Sequence, residues 1–358
     1  DTRRLEGVSF VDPTPAWGTG ANVEIDAARF PWGFEKGEGD GWVPATVLHE
    51  GRDARVANEV PPIHLLRPAL LPAMMEREIR VGTVRFVSAP PSADTQPVPI
   101  RGADHLASEA ERWNILATGA SITIPAYTRR RVIIDLDDYY CAYPEVTVSG
   151  GRGGLVVLRW AESLFENVEK SVKGNRNEID GKFFWGVGDT FRPDGGPGRR
   201  FETLWWQAGR YLELDVETTD ESLTIDRLAL RETRHPLEME SRFQADDDRF
   251  NRVIPIAVRG LQMCSHETYM DCPYYEQLMY VGDTRLEVLT TYAISRDDRL
   301  PRKALRTFDS SRTLSGLTRS RYPSRVHQDI PPFSLWWVAM VHDFAGWRGD
   351  AAFVKSLL

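Results

Sequence analysis

The chain of 358 residues has no apolar run near the roughly twenty residues that span a bilayer, and it has no extended Lys or Arg tract. With a formal net charge of −8, nucleic acid and anionic membranes are excluded as main partners. Its three cysteines, Cys141, Cys264 and Cys272, are odd in number and lack metal or redox spacing, so they read as free thiols. A Gly-x-Ser-x-Gly elbow is missing, as is any His pair or EF-hand run at metal-ligand spacing. Gly186-Val187-Gly188 and Asp194-Gly195-Gly196 lack the strand-to-helix context of a nucleotide loop and read as turns. Neither a cofactor nor a metal is expected.

What is present points to several domains. The length exceeds that at which one core keeps growing, so two or three domains are expected. Residues 1–60, broken by Gly and Pro with short apolar runs at 8–11 and 43–48, predict a partial N-terminal β-sandwich module. Residues 61–75 begin with a proline run that cannot be a helix or a central strand, and predict an extended linker. Residues 76–235 carry two-residue periodicity at 81–87, 121–124, 131–136, 145–148, 155–160, 211–216 and 223–230, which predicts a β-sandwich. The insert 162–201 reads as loops, Arg159 and Glu162 as a pair at a sheet edge, and Trp205-Trp206 as inter-sheet packing. From 236 to 358 the period turns helical, with helices predicted over 246–264, 283–294, 298–308, 334–344 and from 351 on. Five helices cannot close a toroid of about twelve, so an α/α array would be unfinished at Leu358.

One stretch stands apart. Between Cys264 and Glu287 the chain gathers Glu267, Asp271, Glu276, Asp283 and Glu287 among Tyr269, Tyr274, Tyr275 and Tyr280, and from Glu267 to Thr284 it has no Lys or Arg. Acids that merely solvate a helix face alternate with Lys or Arg; these do not. Carboxylates and aromatic faces together suit a neutral polyol, the acids taking hydroxyl protons while rings cover the C–H face. Asp283 is also placed to cap a helix starting there. Glu276, desolvated by tyrosines, is expected to hold its proton near neutral pH, whereas Asp271 in a looser turn is expected to stay ionised. Calcium is the competing ligand.

Asp271-Cys272-Pro273, Glu276-Gln277 and Tyr280-Val281-Gly282-Asp283 together resemble the acidic signature of bacterial α-L-rhamnosidases of glycoside hydrolase family 78. Weaker echoes are Trp42-Val43-Pro44-Ala45, Lys173-Gly174-Asn175-Arg176 and Ile330-Pro331-Pro332-Phe333-Ser334. The resemblance implies β-sandwich modules followed by an (α/α)6 barrel, and inverting hydrolysis of terminal α-L-rhamnose from oligosaccharides or glycosides. It implies Glu276 as general acid, Asp271 and Asp283 as holders of the sugar hydroxyls, and Tyr280 as a wall. The water-activating carboxylate is then expected beyond Leu358. Tyr275 stands where many members have Arg, and Pro332 where an Asp is expected. Tyr275 and Trp336 are further candidates for sugar contact, with one of Trp336 and Trp337 in the core. His266, His327 and His342 read as structural.

Two other readings stay open: a catalytically silent carbohydrate-binding protein, and a lyase working through a Tyr/His pair. A periplasmic or extracellular location is expected over a cytoplasmic one. Oligomeric state has no signature here.

Overall fold

The strand Arg129–Gly150 is the spine of the β region, and it takes 22 residues where the pattern predicts two strands, 131–136 and 145–148. Asp137, at φ 66, bends it midway with its N–H bonded to Asp135 Oδ1 at 3.0 Å, and pairing resumes beyond the bend. Along one edge run Gln207–Glu217 and Arg199–Glu202; along the other run Thr83–Ser88 and Leu223–Arg234. The computed structural model describes residues 2–11, 21–47, 52–53, 65–66, 68–90, 97–324 and 326–358. Trp17 and, of the predicted linker, Pro61 to His64 and Arg67 lie outside the described residues.

Gln207–Glu217 passes the sheet outward to Leu155–Ala161, then Val187–Arg192, then Asn22–Asp26 and Val8–Val11; with Met75–Ile79 and Ile122–Ile124 on Leu223–Arg234, the sheet has eleven strands among the described residues. Pairing is antiparallel except where Asn22–Asp26 lies parallel to Val187–Arg192. Strands from the predicted N-terminal module therefore extend the same sheet. The insert 162–201, expected to be loops, supplies Val187–Arg192 and Arg199–Glu202. Gly188 disguises the first of these as a turn: a Cβ there would lie 2.0 Å from the Leu158 carbonyl oxygen, so only glycine admits the close approach.

Strand alternation decides the packing. Val132, Ile134, Leu158, Trp160, Leu212 and Leu214 enter the main core, whereas Ile133, Phe86, Phe184 and Tyr211 enter a smaller one. A buried ionic cluster also crosses the sheet. Arg131 Nε meets Glu213 Oε2 at 2.5 Å, and Arg159 Nη1 meets Glu213 Oε1 at 3.0 Å and Asp215 Oδ2 at 2.6 Å. Arg159 thus pairs inside the sheet and not with Glu162 at an edge, because its strand lies between two others.

Six α-helices occur among the described residues. α1 (Ala107–Trp113) is short and was not foreseen. α2 (Asp248–Met263) is capped by Asp247, whose Oδ1 accepts the Arg249 N–H at 3.0 Å. Pro255 lies inside it. Of Phe250, Val253, Ile254, Ala257, Val258 and Leu261, which recur at three- and four-residue steps, only Leu261 is buried; Phe250 is 58% exposed and Val253 54%. α3 (Val281–Ile294), α4 (Arg299–Asp309), α5 (Pro331–Arg348) and α6 (Ala351–Lys355) share a second core of Val288, Leu305, Phe308, Trp337, Met340 and Phe344. None of these helices is long and apolar enough to cross a membrane.

The two cores meet at the end of α2. Arg259 Nη1 pairs with Glu232 at 2.6 Å and its Nη2 donates to the Tyr139 carbonyl at 2.5 Å, while Met263, Met270 and Tyr274 pack into the β core. The acid-rich stretch is thereby held against the sheet.

Candidate active site

Leaving α2, the chain folds back at once. Met270 N–H bonds to the Cys264 carbonyl at 2.8 Å, Asp271 N–H to the Leu278 carbonyl at 2.9 Å, and Leu278 N–H to Asp271 Oδ1 at 3.0 Å. These bonds close a turn over 271–278 in which Gln277 sits at φ 57, a conformation that non-glycine residues adopt at a cost. The β region holds the turn from below. Trp205 Nε1 donates to Gln277 Oε1 at 2.7 Å, and the Tyr274 hydroxyl donates to the Trp160 carbonyl at 2.8 Å. Trp206 stacks on His266 with ring centres 4.1 Å apart, so the two tryptophans pack against this turn and not only between strands. Burial pushes His266 down to about 3, which keeps the imidazole neutral and structural.

Within the turn Asp271 and Glu276, both half-buried, face each other carboxyl to carboxyl. Asp271 is pushed up to about 6, first by burial and further by Glu276, against the lowering pull of the Leu278 and Cys272 N–H groups. The expectation of a loosely held, ordinary Asp271 is therefore corrected: its turn is tied twice, and burial beside another acid raises its proton affinity.

Glu276 also faces the hydroxyl of Tyr280, which precedes α3. Residues 279–281 pair with 320–322: Val281 N–H bonds to the Ser320 carbonyl at 2.9 Å and Tyr322 N–H to the Met279 carbonyl at 3.2 Å. That pairing brings Arg321 beside Tyr280, with Nη1 donating to the hydroxyl at 2.7 Å. The site is thus not free of cations, as the local sequence suggests; a buried guanidinium arrives from 41 residues downstream. Phe333 meets the Tyr280 ring edge-on at 6.5 Å and also lies over Gly282, where a Cβ would come 2.8 Å from its ring.

Asp283 is exposed and is the third residue of α3, so it does not cap the helix as expected; Tyr280 holds the N-cap position because helical hydrogen bonding begins two residues earlier. One turn further, Glu287 has Oε2 enclosed without a hydrogen-bond partner. Burial, then Asp283 and Asp271, hold its carboxyl well above the usual range. The remaining candidates each have a partner of their own. Lys173 stands 4.9 Å over the Tyr275 ring and 3.2 Å from Glu162, whose other oxygen accepts from the Tyr139 hydroxyl. Arg285 stands 4.8 Å over Trp336 and pairs with Asp343 at 2.8 Å, while Trp337 is the core member of its pair. Glu267 forms a surface pair with Lys303. Asp329 pairs with Arg319. Sequence reasoning missed Arg321 entirely and gave Glu287 no role; Lys173 was visible only as a weak echo.

Three comparisons bear on this arrangement. Residues 238–355 match the family model for the bacterial alpha-L-rhamnosidase six-hairpin glycosidase domain. Among solved structures, a rhamnosidase from Klebsiella oxytoca with rhamnose bound is 18% identical at TM-score 0.58, covering 80% of this chain and 55% of that one. A family 78 rhamnosidase of Bacillus sp. GL1 is 20% identical at TM-score 0.55, covering 64% of this chain and 23% of that one. The chain therefore spans only part of the length of either enzyme. No curated protein matches it. The matched span opens just after the β region and contains the whole Asp271–Glu287 cluster, so it is this part of the chain that is similar to the bacterial α-L-rhamnosidase six-hairpin glycosidase domain.

Proposed function

We propose that the protein is a glycoside hydrolase that removes terminal α-L-rhamnose, or a related sugar, from glycans or glycosides by inversion, with Glu276 as general acid. One observation carries this reading: two half-buried carboxyl groups in contact, inside the span that matches the rhamnosidase domain. Two acids that close cannot both ionise freely, so the pair retains a proton toward neutral pH. Glu276 delivers that proton to the glycosidic oxygen, and solvent reprotonates the pair after the products leave. Asp271 and Asp283 accept the sugar's hydroxyl protons, and Tyr280, with Tyr275 and Trp336 further out, bounds the sugar. The domain division at 236, two residues before the matched span, belongs to this reading, as does an (α/α)6 barrel for the helical part.

Local features weigh against the lyase reading. A lyase needs a tyrosine that gives up its proton readily, yet burial raises Tyr280, and His266 is neutral and stacked.

The test is hydrolysis of an aryl α-L-rhamnoside followed by proton NMR of the first-formed sugar. β-Rhamnose should appear first, and Glu276→Gln should lose about 10²–10⁴-fold in turnover with the fold intact. Undiminished turnover by that variant would remove Glu276 from the mechanism.

A further inference from the structure

We propose that Arg321 is a positioning residue for proton donation: it grips the Tyr280 hydroxyl so that the hydroxyl's one proton is turned toward Glu276. This rests on the functional reading above for its consequence, though not for its geometry. A guanidinium can only donate, and a phenol has one proton and two lone pairs. With Arg321 Nη1 donating to Tyr280 Oη at 2.7 Å, a lone pair is taken and the phenolic proton is left for the acceptor it faces, Glu276. Glu276 lies beside both the Tyr280 hydroxyl and the Asp271 carboxyl.

The gripping arm is itself fixed. Ser320 N–H bonds to the Gln328 carbonyl at 3.0 Å, and Thr318 N–H to Ser334 Oγ of α5 at 3.0 Å. From the same helix Phe333 bears edge-on upon the Tyr280 ring, so the ring is pressed from α5 while Arg321 fixes its oxygen. Arg321 is 6% exposed, which makes its charge effective over short distances and shields it from solvent screening. Nothing in this arrangement requires Arg321 to touch the sugar.

Four variants of the whole protein test it: Arg321→Met, Arg321→Lys, Tyr280→Phe, and the double Arg321→Met/Tyr280→Phe. Two readouts apply: kcat and KM on an aryl α-L-rhamnoside, and the titration of a ¹³Cζ-tyrosine label at Tyr280. A misdirected acid should lower kcat by about a hundredfold in Arg321→Met with KM nearly kept. Lys should recover much of that loss, and the double variant should be no worse than Tyr280→Phe alone, because Arg321 acts through that hydroxyl. The Tyr280 titration should move to higher pH in Arg321→Met. Wild-type kcat in Arg321→Met, or multiplied losses in the double variant, would overturn the inference. If the wild-type protein itself cleaves no rhamnoside, the functional reading fails on its own; the Tyr280 titration still decides the grip, and an unmoved resonance refutes it.

Discussion

The carboxyl groups of Asp271 and Glu276 meet across a turn that is closed by hydrogen bonds at Asp271 and Leu278 and pinned from the β region by Trp205. The Asp271 N–H to Leu278 carbonyl bond does not depend on the charge of either carboxyl, and an amide at 271 keeps an oxygen for the Leu278 N–H. This makes the pair's electrostatics separable from its folding.

Asp271→Asn keeps an oxygen for the Leu278 N–H while removing a negative charge beside Glu276. The alkaline limb of the kcat/KM profile should move to lower pH, since the proton on the pair is then held less tightly. Stability should change in a defined direction. A folded-state value near 6 lies above the ordinary 3.8, so this group's contribution is full below about 3.8 and is lost as pH rises through 6. The melting temperature of Asp271→Asn relative to wild type should therefore increase between pH 4 and pH 8; a constant difference would refute the assignment.

Asp189 offers the same linkage in the sheet. It is buried, accepts the Val23 N–H at 2.8 Å through Oδ1, and has Oδ2 without a partner; burial pushes it up to about 7. Wild-type stability should fall as pH rises from 4 through 7, by on the order of 1–4 kcal/mol from this group. Asp189→Asn keeps the acceptor and should flatten that slope in urea denaturation. An unchanged slope would contradict it.

Arg159→Met leaves Asp215 without its closest cation and Glu213 with only Arg131, both carboxylates being buried within the sheet. Breaking such a pair from one side costs about 3–5 kcal/mol. Chemical denaturation should show a loss of that size. A loss below about 1 kcal/mol would mean the cluster is solvated or neutral.

Much of the helical half was legible in the sequence because its periodicity is local: α2, α3 and α4 lie within two residues of the predicted ends, and α5 begins three residues early, at Pro331. The β half was harder. Gly188 and the Gly-rich insert hide strands, since glycine also serves where two backbones approach closely, and the bend at Asp137 splits the pattern of a continuous strand. At the site, the acids and rings were visible because they are adjacent in the chain, and the Asp271-Cys272-Pro273 and Tyr280 to Asp283 motifs led to the family. Arg321 was not visible, because only the pairing of 279–281 with 320–322 places it there. Nor could residue type alone reveal that burial would raise Asp271 or that α3 would begin at Val281, before Asp283.

The claim that Glu276 supplies the proton is tested most directly by varying the leaving group. Glu276→Gln should lose about 10²–10⁴-fold in kcat/KM on a rhamnoside whose departing oxygen must be protonated. On α-L-rhamnosyl fluoride, whose leaving group departs with little such help, the same variant should stay within about tenfold of wild type. Equal losses on both substrates, or no loss on either, would contradict the account.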